Sequence, residues 1–178
     1  MTVRDLHLLG SPVLRQQSKP VSTVDEEIRQ FIADLFETMH AARGVGLAAN
    51  QVGVARRVAV IDAEGEKFAM VNPKIIEASG RDTAEEGCLS IPEVFGDVTR
   101  PDRIVLEALD QDGIPFRREL TGLPARAVQH EIDHLDGILF LDHLSLLKRK
   151  RLLAKWKKEH GDDPSFVQPV KPASAEST

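Results

Sequence analysis

The stretch Leu123-Pro124-Ala125-Arg126-Ala127-Val128-Gln129-His130-Glu131-Ile132-Asp133-His134-Leu135-Asp136-Gly137 decides how the rest of the chain is read. A proline fits the first turn of a helix, where its missing N–H is no loss, and a glycine marks where a helix stops, so the stretch predicts a helix over 123–136. At 3.6 residues per turn His130 and His134 share a face, and their imidazoles converge on one cation. Glu131 stands about 100° round, beside the cation's open position. That pattern signals a metallohydrolase. The plain alternative, a surface helix with two histidines four apart by chance, is weakened by the helix brackets on either side.

An open catalytic site takes three protein ligands and keeps a fourth position for water, so the third ligand decides the class. A metzincin continues His-x-x-Gly-x-x-His. Gly137 matches, but the last position is Phe140, which binds no metal. A thermolysin-like zincin takes a Glu from a following helix, and Glu159, the only glutamate between His134 and the C-terminal segment, falls in the last turn of a basic helix. Cys88 is the stronger candidate, because a thiolate is a first-rank ligand for zinc or iron(II) and this is the chain's one cysteine. A lone cysteine forms no internal disulfide and suits a reducing compartment.

Working outward, apolar residues at Ile28, Phe31, Ile32, Leu35, Phe36 and Met39 keep a helical period behind Asp25, Glu26 and Glu27, which predicts an N-terminal amphipathic helix. Short β-branched runs at 57–62, 68–71, 74–78 and 104–109, separated by turn residues such as Asn72-Pro73 and Asp112-Gly113, read as an antiparallel meander. A second helix over 144–160 takes Leu146, Leu152, Leu153 and Trp156 as its apolar side. From Gly161 on, apolar periodicity is lost. The expected fold is α+β: antiparallel β-sheets packed around a central metal-binding helix, plus an N-terminal amphipathic helix and a C-terminal helix. Residues 1–160 are expected to form one domain and 161–178 a disordered tail.

The composition agrees with one globular domain. With 178 residues, 42% apolar and 29% charged, the chain is neither disordered throughout nor a collagen or disulfide scaffold. The net charge of −5 gives no reason to expect a nucleic-acid binder from the bulk number. It hides a local +6, however: between 144 and 160 Lys148, Arg149, Lys150, Arg151, Lys155, Lys157 and Lys158 face Glu159 alone. No secretory or transit pattern stands at the N-terminus and no apolar run reaches the ~18 residues of a membrane span. A cytoplasmic protein without a membrane partner is expected.

Three segments taken in order carry a resemblance. Gly44-Val45-Gly46-Leu47-Ala48-Ala49-Asn50-Gln51, Glu85-Glu86-Gly87-Cys88-Leu89-Ser90-Ile91-Pro92 and the His130–His134 motif resemble the three motif boxes of the peptide deformylases. Similarity extends over residues 6–156, with Val13-Leu14-Arg15 and Lys19-Pro20-Val21 matching the family's N-terminal segment. The chain departs from many members at Leu9-Gly10-Ser11, and its Phe95 and Arg126 stand where others carry Arg and an aliphatic residue.

The resemblance implies a metal-dependent hydrolase that removes the N-formyl group from the N-terminal methionine of newly synthesised polypeptides and releases formate. It implies one divalent ion on Cys88, His130 and His134, iron(II) first, with zinc, nickel or cobalt as alternatives. Glu131 would take a proton from the attacking water and return it to the leaving amine. The Gln51 side chain and the Leu89 N–H would donate to the oxyanion. Substrate contacts are implied at Gly44, Val45, Gly46, Gly87, Leu123, Arg126 (through its aliphatic stem) and Ala127, the glycines letting an extended peptide approach the backbone. The implied partners are formylated nascent chains and the ribosome, since bacterial members dock there through a C-terminal helix and a +6 segment is drawn to RNA phosphates; the alternative for that segment is a solvated face that keeps the helix end soluble. Glu86 and Arg100 are expected to pair, either beside Cys88 or in solvent. Two rivals remain in view: a zincin using Glu159, and a binding protein with a purely structural Cys-His-His site, which would need neither Glu131 nor Gln51.

Overall fold

A computed structural model describes residues 2–161 and 166–170 of the chain. A short strand β1 covers Leu6–His7, and helix α1 covers Glu26–Ala41. The Asp25 carboxylate caps α1, accepting from the Ile28 N–H at 3.0 Å. Strands β2 (Gly46–Ala48), β3 (Val58–Ala63) and β4 (Glu66–Ser79) follow, then a hairpin of β5 (Asp82–Cys88) and β6 (Ile91–Arg100). After β7 (Arg103–Leu109) and β8 (Pro115–Thr121) come helices α2 (Gly122–Leu135) and α3 (Leu146–His160) and a last strand β9 (Val167–Gln168). Strands β2-β3-β4-β7-β8 form one antiparallel sheet in that order, while β5–β6 and β1–β9 are separate two-stranded antiparallel pairs. The expected mixture of antiparallel sheets and helices is thus the architecture, with three α-helices among the described residues.

Alternation along β3 explains how the sheet carries both main helices. Val58 and Val60 belong to the core cluster of α1, with Phe31, Ile32, Leu35 and Met39. Ala59 and Ile61, one residue out of phase, belong to the cluster of α2, with Ala125, Val128 and Leu135. Successive side chains of a strand point to opposite faces, so α1 and α2 cover the two faces of the sheet. A third cluster, holding Ile91, Val94, Val98, Phe140 and Trp156, ties the β5–β6 hairpin to the chain after α2 and to α3. Gly137, with φ at 76°, ends α2 beside the Arg15 carbonyl, where a Cβ would stand 2.7 Å from that oxygen.

Several expectations are corrected. The runs 68–71 and 74–78 are a single strand, β4, whose register shifts between Val71 and Lys74. Asn72 takes a φ of 50°, and its amide bonds both the N–H and the carbonyl of Val21 at 2.8 Å. The turn signal therefore marks a bulge that anchors the N-terminal segment. The apolar side expected for the C-terminal helix is only partly used: Trp156 is buried and stacks on His160, whereas Leu146 and Leu153 are exposed. The disordered tail expected from Gly161 does not describe 166–170, because β9 is ordered by pairing with β1. The rest of that expectation, 162–165 and 171–178, lies outside the described residues.

Candidate metal centre

Helix α2 carries His130, Glu131 and His134, and β5 delivers Cys88 as its last residue. The register of β5 and β6 shifts between Gly87 and Cys88, immediately before the two-residue turn Leu89-Ser90. His130 Nε2 stands 3.1 Å from His134 Nε2, and Cys88 Sγ 3.3 Å from His134 Nε2. The three ligand atoms all lie within 4.8 Å of one another. Bonds of ~2.0 Å to nitrogen and ~2.3 Å to sulfur at tetrahedral angles would put such atoms roughly 3.3–3.6 Å apart, so the donor set fits one small divalent ion. Glu159 is exposed on α3 and takes no part, which removes the zincin ligand set.

Behind His130 lies a buried ionic cluster. His130 Nδ1 bonds Glu86 Oε1 at 2.9 Å, and the Glu86 carboxylate also accepts from Arg100 Nε and Arg126 Nη1, each at 2.6 Å. Arg100 reaches on to Asp133 at 2.9 Å, and Asp133 to His143 at 2.7 Å. The side chains of Glu86 and Arg100 are each 5% exposed, so of the two expectations for this pair the one beside Cys88 holds. Burial opposes ionisation of Glu86, but hydrogen bonds from His130 and Arg100 hold its carboxyl well below the usual carboxylate range. Arg126 also donates to the Val98 and Asp82 carbonyls, so its head group is spent on this cluster and only its stem is left for a substrate.

Glu131 and Gln51 stand beside the three donors. Glu131 is buried and its Oε2 has no hydrogen-bond partner among the described residues. Burial pushes its carboxyl up to about 7, against the pull of His130. A Cβ on Gly46 would lie 2.9 Å from Glu131 Oε1, so this glycine makes room for the carboxylate. Gln51 accepts from the Ala48 N–H at 3.0 Å, which fixes its amide so that Nε2 faces Ser90 Oγ at 3.1 Å and Cys88 Sγ at 3.6 Å.

One cleft of about 700 Å³ gathers these groups: Gln51, Cys88, Leu89, His130 and Glu131 line it, and so do Gly44, Val45, Gly46, Gly87, Leu123, Arg126 and Ala127. His134 lies beneath, fully buried. Sequence reasoning did not single out Ser90, the partner of Gln51, although it sits in the same motif box as Cys88. It also missed Asp133 and His143, and Gln168, Pro169 and Val170, which line the cleft from the C-terminal segment.

A Cys-His-His donor set with an unpaired buried carboxylate beside it, open to a cleft, defines a metal-dependent hydrolase. The sequence profile described as polypeptide deformylase matches residues 3–150. A peptide deformylase of Brucella suis is 50% identical over 164 residues, covering 89% of this chain and 94% of that protein. The chain therefore belongs to the polypeptide deformylase family. A crystal structure of a peptide deformylase from Legionella pneumophila superposes with a TM-score of 0.83 at 44% identity, covering 92% of this chain and all of that one. One from Ehrlichia chaffeensis, in complex with actinonin, gives 0.85 at 40% identity, covering 89% and 98%.

Proposed function

We propose that this chain hydrolyses the N-formyl group from the N-terminal methionine of newly synthesised polypeptides, with Cys88, His130 and His134 holding one divalent ion, iron(II) in the first instance. The observation that carries the reading is the convergence of these three donors, with Cys88 and His130 lining one cleft beside Glu131 and Gln51 and His134 directly beneath. When bound, the ion supplies Lewis acidity, lowering the pKa of water and polarising the formyl oxygen. Glu131, ionised, accepts the proton of the attacking water and returns it to the leaving amine nitrogen. The Gln51 amide, oriented by the Ala48 N–H, donates to the oxyanion, and the Leu89 N–H, in the turn outside the β5–β6 ladder, donates beside it.

The substrate reading rests on the cleft walls. β2 is an edge strand of the five-stranded sheet, and Gly44 and Gly46 let an extended peptide approach its backbone. Val45, Leu123 and Ala127, with the stem of Arg126, offer apolar surface to the methionine side chain, and Gly87 admits the peptide at β5. Residues 1–160 carry all of the proposed chemistry.

Among the described residues no helix is long and apolar enough to cross a membrane. A thiolate ligand suits the reducing cytoplasm, where formylated chains emerge from the ribosome. The exposed lysines of α3 suit docking there. The test is formate release from formyl-Met-Ala-Ser by anaerobically purified, metal-loaded protein. Formate is expected in proportion to bound metal; none from fully loaded protein would overturn the reading.

A further inference from the structure

The chain after α3 plays no part in the chemistry above, yet it reaches the substrate cleft. β9 pairs with β1 in the register Leu6 with Gln168 and His7 with Val167, and the Leu8 N–H donates to the Phe166 carbonyl at 2.7 Å. The Phe166 ring fills the space over Gly10, where a Cβ would lie 2.5 Å from it. Gly10 also holds a φ of 108°, so glycine is what leaves this seat open. Val170 packs against the core cluster that contains Leu6, Leu35 and Met39. Backbone pairing, an aromatic seat and an apolar anchor thus hold a segment that has little intrinsic order of its own. Held this way, Gln168, Pro169 and Val170 line the same cleft as Gln51, Cys88 and Glu131. Gln168 is exposed there, and its side-chain amide has no hydrogen-bond partner among the described residues.

We propose that residues 168–170 are a substrate-binding wall that contacts the peptide downstream of the formyl-methionine, with the Gln168 amide bonding a substrate peptide group. The proposal rests on the deformylase reading. A primary amide both donates and accepts, so it matches a peptide unit whatever side chain that unit carries. Pro169 has no N–H to extend β9, which ends the strand at the cleft and leaves an apolar ring beside Val170. A cleft of about 700 Å³ is of a size that takes a drug-sized ligand, well beyond a single methionine. A contact that holds ground state and transition state alike raises KM and leaves kcat when it is removed, and that is the signature expected of this wall.

The experiment compares three metal-loaded proteins with the full chain: a chain ending at 170, a chain ending at 165, and full-length Gln168→Ala. Each is assayed on formyl-Met-Ala-Ser and on formyl-Met-amide, which lacks the downstream peptide. The chain ending at 170 is expected to match the full chain. The other two are expected to raise the ratio of tripeptide KM to amide KM about two- to tenfold, the worth of one or two hydrogen bonds to the substrate. An unmoved ratio in the chain ending at 165 overturns the proposal, and so does an equal loss on both substrates, which would make the segment a packing element. If that chain fails to fold, the decision passes to Gln168→Ala and to hydrogen exchange in the full chain. Binding of the product Met-Ala-Ser is expected to slow exchange at Gln168 and Val170, and unchanged exchange together with an unmoved ratio overturns the proposal. Formate from neither substrate in the full chain would fail the deformylase reading itself; formate from both with an unmoved ratio fails this inference alone.

Discussion

Glu86 fixes His130 from behind: its Oε1 lies 2.9 Å from Nδ1 of that imidazole, which turns Nε2 toward His134 and Cys88. The same carboxylate is the counter-ion of Arg100 and Arg126, so one side chain both aims a ligand and neutralises two buried guanidinium groups. Glu86→Gln is expected to weaken metal binding about 10–100-fold, as removal of a ligand's hydrogen-bond partner does. It should also destabilise the fold by roughly 3–5 kcal/mol, because buried cations lose their partner. Chelator competition and thermal unfolding check the two effects. The sign with pH follows from the depressed carboxyl: its contribution to stability is complete above the ordinary carboxylate range and drains away as pH falls below that range toward the depressed folded value. Wild-type metal affinity in Glu86→Gln would mean that other groups aim the ring.

His130 is expected to make metal loading proton-coupled. Burial disfavours the His130 cation, yet hydrogen bonds to Cys88 and Glu86 and the charge of Glu131 raise its pKa well above the ordinary imidazole range before a metal arrives. A ligand set needs neutral imidazoles and a thiolate, so loading is expected to release protons and the affinity to rise with pH. Cys88→Ala should lower metal content sharply, and a variant with full metal and full activity would refute the ligand assignment. If the resident ion is iron(II), air is expected to inactivate the enzyme by oxidising ion or thiolate, and a nickel-loaded form to resist.

How much of this was legible in the sequence depends on the range of the forces involved. α1 and α2 announce themselves because a 3.6-residue apolar period and their stop and start residues are local. β3 is equally plain, since Val58-Ala59-Val60-Ile61 must be apolar on both faces. β5 is not: Asp82-Thr83-Ala84-Glu85-Glu86 has no apolar alternation, and the strand is held by pairing with β6 and by the Glu86–Arg100 bond. The closeness of His130 and His134 was readable because helical geometry converts spacing into proximity. The grip of Arg126 on Glu86 spans 40 residues of sequence and follows only from how the sheet brings β5 onto α2.

Gly46 and Glu131 offer a separation of position from chemistry. Gly46→Ala places a methyl 2.9 Å from Glu131 Oε1, so the carboxylate must shift while the strand remains sterically allowed. The expected outcome is a loss of about 10²-fold in kcat with metal retained, since small misplacements of a reacting group cost that much. Unchanged kcat would show that the carboxylate tolerates displacement.

Glu131→Gln should also retain metal and lose on the order of 10²–10⁴ in turnover, the usual worth of a general acid/base. The raised carboxyl has a thermodynamic counterpart in the metal-free protein. With a folded pKa of about 7, the folded state favours the protonated form, so this group's contribution is complete below the ordinary carboxylate pKa and is lost as pH rises through about 7. Metal-free Glu131→Gln is therefore expected to unfold at a higher temperature than the metal-free parent at pH 8, with the gap closing toward pH 4. Equal melting temperatures at both pH values would contradict burial of the charge. A bound cation favours the carboxylate, so loading should shift this titration downward.

Helix α3 supplies the last prediction. Lys148, Lys150, Arg151, Lys155, Lys157 and Lys158 are all exposed, while Trp156 anchors the helix in the core and stacks on His160 with ring centroids 3.7 Å apart. Leu146 and Leu147 are exposed as well, more than half of each surface facing solvent. A solvated helix end needs cations but gains nothing from bare leucines, whereas a surface that meets folded RNA and protein can use both. Binding to purified ribosomes is therefore expected to weaken steeply with salt, because each phosphate that a lysine or arginine neutralises releases a counterion. Changing Lys148, Lys150, Arg151 and Lys155 together to Gln leaves Trp156 in place. It should reduce the slope of log affinity against log salt by roughly 0.7–0.9 for each phosphate no longer neutralised. Cleavage of free formyl-Met-Ala-Ser should be unaffected, since none of the four lines the cleft. A ribosome affinity that is the same for both proteins at every salt concentration would leave α3 as a packing helix with a solvated face.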